Sequence, residues 1–186
     1  MAIHITGDPA ADKVLTDNPF ALLTGMMLDQ QFPMERAFLG PAKVAERLGR
    51  FDPAAIAEAE PEAFAALCAT PPAIHRFPGS MAARLQELAR IVVADYEGDA
   101  SRIWSDVADG ADLARRLRAL PGFGEQKVRI FVALLAKRLG VRPAGWEEAA
   151  GDYAQDGYRS VADVVSPESL QKVRDYKAQK KAAARG

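Results

Sequence analysis

The chain has a single cysteine, Cys68, in 186 residues, so no internal disulfide can form and a four-cysteine iron–sulfur cluster is excluded. Histidine is nearly as scarce, and His4 and His75 provide no set with the spacing of a zinc site. No uninterrupted apolar run approaches the length of a membrane span. The opening Met1–Asp8 lacks the basic start and apolar stretch of a secretion signal, so a cytoplasmic location is expected. Excess charge of one sign is missing too. With 24 Lys and Arg against 25 Asp and Glu, the net charge of -1 argues against a protein that coats nucleic acid indiscriminately.

Strand signals are absent and helix signals recur. Asp8-Pro9, Asn18-Pro19, Asp52-Pro53, Glu60-Pro61 and Ser166-Pro167 each set a side-chain acceptor before a proline that fits the first helical turn. An all-α chain of many short helices is predicted, with enough residues for one sizeable core and no evident linker or repeat. Pro19–Gln31 is apolar on most sides, with Phe20, Leu22, Leu23, Met26, Met27 and Leu28, the composition of a helix buried between layers. Ser80–Tyr96 carries Met81, Leu85, Leu88, Ile91 and Val92 at helical spacing, closed by Gly98-Asp99. Val141–Val165 has glycines at 145, 151 and 157 and reads as short helices joined by loops. From Gln171 to Gly186 six basic residues face one acid, which reads as a solvated helix end in preference to a phosphate-binding tail.

Leu120-Pro121-Gly122-Phe123-Gly124 lies between the apolar-periodic segments Leu113–Leu120 and Val128–Leu139. Two glycines around one apolar residue make a tight connection between two helices. Gly122 and Gly124 are expected to adopt backbone angles closed to other residues and to let a phosphate approach the unpaired amides that open the second helix. Phe123 is expected to anchor the turn in the core. His75-Arg76, in a proline-rich loop, reads equally as an exposed basic pair against the DNA backbone or as a plain surface loop.

Three segments in order, Leu22–Gln31, Phe77–Arg84 and Leu120–Leu135, resemble the helix-hairpin-helix (HhH-GPD) base excision repair DNA glycosylases related to endonuclease III, the adenine glycosylases and the alkyladenine glycosylases. The resemblance implies two helical lobes around a cleft, a central one over about 33–140 and a second from about 1–32 plus 141–186. It implies a monomeric, nucleoid-associated enzyme that binds lesion-containing double-stranded DNA and draws a damaged or mismatched base into a pocket. It places Leu120, Gly122, Gly124, Gln126 and Lys127 at the DNA backbone and Gln30 in the gap left by the extruded base. Gln31 is expected at the DNA beside it, and Gln31, Asp29, Met26 and Met27 are candidates for the pocket wall, although a methionine at helical spacing is more often core. In relatives, hairpin carbonyls can also hold a monovalent cation against the phosphate; no other cofactor is implied. Phe32, Trp104, Trp146, Tyr153 and Tyr158 are candidate stacking partners, most of them expected in the core.

Relatives that cleave the strand use a lysine amine just after the second hairpin glycine. Gln126 holds that position and Lys127 is one residue later, a helical turn of about 100 degrees, so the enzyme is expected to be monofunctional. A carboxylate must also face the sugar as positive charge builds on it. At the usual family spacing, around Ala144–Trp146, there is no aspartate. With an insertion allowed in 141–151, Gly151-Asp152-Tyr153 resembles the Asp-Tyr pair of alkyladenine relatives. Asp152 is then the foremost candidate, ahead of Glu147, Glu148 and Asp29. The same missing aspartate leaves open a helix-hairpin-helix DNA-binding protein without glycosylase activity.

Overall fold

A computed structural model describes residues 2–185. The chain is helical, with no strand among the described residues: α1 (Pro9–Asp17), α2 (Pro19–Leu28), α3 (Met34–Ala37), α4 (Gly40–Leu48), α5 (Pro53–Glu58), α6 (Pro61–Ala69), α7 (Pro78–Tyr96), α8 (Arg102–Ser105), α9 (Gly110–Arg118), α10 (Glu125–Leu139), α11 (Trp146–Ala150) and α12 (Pro167–Arg185). Short 3-10 turns at Gly151–Ala154 and Val161–Asp163 join α11 to α12. Among the described residues no helix is long and apolar enough to cross a membrane.

The acceptor-proline junctions start helices as their chemistry requires. Asp8, Asn18, Asp52 and Glu60 accept main-chain N–H groups from the first turns of α1, α2, α5 and α6, in each case with proline at the opening of the helix. A side-chain oxygen there satisfies donors that have no intrahelical partner, and each such cap contributes about 1 kcal/mol. Ser166 behaves similarly, its Oγ accepting the Ser169 N–H at 3.1 Å.

From Phe20 to Leu28 every residue of α2 is buried, and each enclosed Leu or Met stabilises the fold by about 1.5–3 kcal/mol. Gly25 is needed at its centre, because a Cβ there would lie 2.3 Å from Cδ1 of Phe38. α2 packs on α1, α3 and α4; α7 packs on α5 and α6. α10 packs on α9, α11 and both 3-10 turns, burying Ile130–Ala136 without interruption. One continuous apolar cluster joins these groups, from Ile3 through α2 and α7 to α10 and Val173 of α12. An ion pair holds the C-terminal half to α10: Lys137 Nζ lies 2.8 Å from Asp163 Oδ1, both side chains less than a tenth exposed. Lys137 also donates to the Gln155 carbonyl.

Candidate active site and nucleic-acid interface

α9 and α10 are joined by the glycine-bordered bend. Leu120 and Phe123 are buried, the Phe123 ring meeting Phe131 edge-on at 6.0 Å, and the Phe123 N–H donates to the Leu120 carbonyl. The two glycines serve different purposes. Gly122 has φ +80, in the left-handed region, and a Cβ there would come within 3.2 Å of Met27 Cγ. Gly124 was expected to need such angles as well, but its φ of -78 and ψ of 176 are extended and open to any residue. What Gly124 provides is clearance, since a Cβ at that position would have nothing within 4 Å. No side chain caps the start of α10, so its first amides are without side-chain partners at the groove edge that residues 124–127 line, where the helix dipole also favours an anion.

That groove is open and about 710 Å³ in volume, bordered by Leu120, Gly122, Gly124, Gln30 and Arg84 among others. Across one wall lies a second cavity of about 420 Å³, within the range of small-ligand sites. Asp29, Gln126 and Lys127 belong to both walls. Met26 and Ile130 give the cavity apolar surface and Tyr153 and Tyr176 give it aromatic rings.

Asp29 is the C-cap of α2, immediately after the buried run. Its carboxylate takes part in no hydrogen bond or ion pair among the described residues. Burial holds its pKa above the usual carboxylate value, against the opposing pull of Lys177 and Lys127. Lys127 donates from Nζ to the Met27 carbonyl at 2.9 Å. Its pKa falls to about 8, chiefly by burial and further by Arg84, while Asp29 resists the fall. A desolvated carboxylate beside an ammonium can accept a proton from water or face a developing positive charge.

Gln126 donates from Nε2 to the Tyr153 hydroxyl at 3.0 Å, which orients that ring at the cavity. Gln30 is exposed on the groove, its Oε1 accepting from Arg84 at 3.2 Å. Gln31 is exposed, has φ +54 and lines neither cavity. His75 departs from the expectation of exposure: it is buried, while Arg76 is exposed. Its Nδ1 accepts the Phe77 N–H at 3.0 Å, so Nε2 carries the proton and donates to the Gln30 carbonyl at 2.8 Å. The histidine therefore tethers the loop that carries Gln30. Sequence reasoning missed Arg84 and Tyr176 as neighbours of the site, because both arrive through tertiary packing.

Asp152 does not come to this site. It is exposed and lines neither cavity, whereas its neighbour Tyr153 is buried and lines the smaller one. The two occupy a 3-10 turn over Gly151–Ala154, in which successive side chains diverge by about 120 degrees, so turning Tyr153 inward turns Asp152 outward. Glu147 and Glu148 are also exposed and away from both walls. Of the remaining aromatic candidates, Trp104 is buried against Phe131, Phe32 meets His75, Trp146 stands beside Arg142 and Tyr158 beside Lys172.

No curated protein and no solved structure matches the chain. A family-wide sequence profile described as HhH-GPD superfamily base excision DNA repair protein matches residues 24–185, a span that includes the second half of α2, the bend, α10, both cavities' shared wall and α12. The chain belongs to the HhH-GPD superfamily of base excision DNA repair proteins.

Proposed function

We propose that the protein is a monofunctional DNA glycosylase that hydrolyses the N-glycosidic bond of a damaged or mismatched base drawn out of duplex DNA. The observation that carries this reading is Asp29: a half-buried carboxylate with no hydrogen-bonded partner among the described residues, standing in the wall between the hairpin groove and the smaller cavity. The strand runs along the groove with a phosphate at Gly124 and the amides of α10, and Gln30 occupies the vacated position in the stack. The extruded base enters the cavity beside Tyr153 and Tyr176. Asp29 faces the sugar. As the bond's electron pair leaves with the base, water adds to C1′ and gives its proton to the carboxylate. Lys127 and Lys177 favour the ionised form that this step requires.

The absence of a lyase step is supported by Gln126, an amide at the position where lyase relatives hold an amine, and by the engagement of Lys127 with Met27. A non-catalytic DNA-binding protein is the rival reading, favoured by the outward position of Asp152.

Duplexes carrying uracil, hypoxanthine, alkylated purines or oxidised bases, followed by alkali, test the assignment. Excision of at least one lesion is expected, abolished in Asp29→Asn and retained in Asp152→Asn. Duplex binding without excision across the panel would favour the rival, and loss in Asp152→Asn alone would return the role to that residue. Borohydride should trap no covalent adduct with abasic DNA; a trapped adduct would overturn the monofunctional assignment.

A further inference from the structure

The last three turns of α12 bring their cations to the cavity. Lys177, Lys180 and Lys181 line it together with Arg159, and Ala184 continues the same helical face. Their spacing of three and four residues puts them on one side of the helix, along a path that rises 5.4 Å per turn. Acidic partners on the helix itself are missing there, and Asp29 across the cavity faces Lys177 without an ion pair among the described residues. Asp175 is the one acid after Glu168 in the helix, and it accepts from Gln171. None of Lys177, Lys180 and Lys181 makes an ion pair among the described residues. By contrast, Lys172 and Arg174, earlier in the helix, pair with Glu168 and Glu35. Lys180 lies over the Tyr153 ring at 5.6 Å and Arg159 over the Tyr176 ring at 5.9 Å, so both aromatic walls of the cavity are met by cations.

We infer that this face of α12 is a second phosphate clamp, gripping the lesion strand on the far side of the base cavity from the hairpin. The inference rests on the glycosylase reading, because it assigns the partner as the strand whose nucleotide enters the cavity. Continuity favours that partner. Asp29 and Lys127 form the wall between the hairpin groove and the cavity that α12 borders, so one backbone passing the hairpin reaches the lysine face after crossing the cavity mouth. Held at both sides, the strand presents the intervening nucleotide to Asp29. The basic end of the chain is thus an element of the interface and not only a solvated terminus.

The test is the salt dependence of binding to a duplex containing a tetrahydrofuran abasic site, comparing the wild type with Lys177→Gln/Lys180→Gln/Lys181→Gln. These side chains lie at the surface or cavity rim, and equal melting temperatures verify the fold. Each lost phosphate contact removes about 0.9 from the slope of log affinity against log salt, so the triple variant should show a slope shallower by between about two and three. Its affinity at low salt should fall by roughly tenfold or more. Gly124→Asp should weaken binding while leaving the lysine contribution to the slope in place. Equal slopes and affinities for wild type and triple variant would overturn the clamp while leaving the glycosylase reading standing. Failure of the wild type to bind the duplex at all would overturn that reading and the clamp with it.

Discussion

The ammonium of Lys127 donates to the main-chain carbonyl of Met27 at 2.9 Å, a contact between residues 100 positions apart. It closes the last turn of α2 against the first turn of α10 and sets a positive charge beside Asp29. Lys127 lowers the Asp29 pKa while burial raises it. The acid limb of the excision rate should therefore lie above the ordinary carboxylate value of 3.8. In Lys127→Met, where the opposing charge is gone, that limb should move to still higher pH. A pH–rate profile under single-turnover conditions checks this, and an unmoved limb would separate Lys127 from the chemistry.

The same lysine makes stability depend on alkali. Its folded-state pKa of about 8 lies below its ordinary 10.5, so between these values the unfolded chain binds more protons. Folding is then favoured as pH rises through that window. Below about 8 both states carry the charge and its burial is a constant cost. Denaturant titrations at pH 7.5 and 10 should show a rise in wild-type stability that Lys127→Met lacks.

Glu125 sits in the first turn of α10, at the edge of the groove assigned to a phosphate. Arg118 holds it at 2.9 Å and Arg129 lies 3.7 Å away. The carboxylate suits the helix dipole but repels an incoming phosphate. Glu125→Gln should raise affinity for every duplex about two- to fivefold at low salt, with the gain fading as salt screens the charge. Exposed pairs of this kind contribute little to folding, so the melting temperature should hardly move. Fluorescence anisotropy at two salt concentrations measures the effect.

The two hairpin glycines should respond differently to alanine. Gly122→Ala forces a side chain into the left-handed region and toward Met27, a cost of about 1–2 kcal/mol. Gly124→Ala meets neither strain nor neighbour and should melt like the wild type, yet it places a methyl where the proposed phosphate contact lies. Calorimetry and duplex binding together separate the outcomes: the first variant loses stability, the second loses affinity.

Lys137→Met should destabilise the fold by about 3–5 kcal/mol, since it leaves Asp163 buried without its counter-charge. Asp163 would keep the Arg159 N–H and Ser160 N–H, which it accepts at 2.8 and 3.3 Å, so the 3-10 turn itself survives. Thermal denaturation checks the loss, and excision by the remaining folded fraction should be normal.

Where local chemistry decides, the residues could be read in order. Asp8, Asn18, Asp52 and Glu60 are caps because each oxygen reaches amides two or three residues ahead, and Phe123 anchors its bend because an apolar residue between two glycines has nowhere else to go. The bend and the family it belongs to were legible for the same reason. The site's carboxylate was not. Asp29 and Asp152 are both aspartates beside apolar neighbours, and nothing within either segment says which faces the cavity; that depends on where α2 ends against α10 and α12. Gly122 and Gly124 likewise look equivalent in sequence, although only one uses the left-handed region. Tyr176, Lys177 and Lys180 fall in a stretch whose composition suggests a solvated helix, and only its docking through Val173 turns them to the cavity.

Because Asp29 directly follows the wholly enclosed run of α2, the carboxylate proposed to face the sugar is bolted to scaffolding instead of riding on a swinging arm. Warming should leave its aim intact until the entire chain lets go, so catalytic competence and native architecture should vanish together at one midpoint, with no cooler stage at which an intact molecule merely idles.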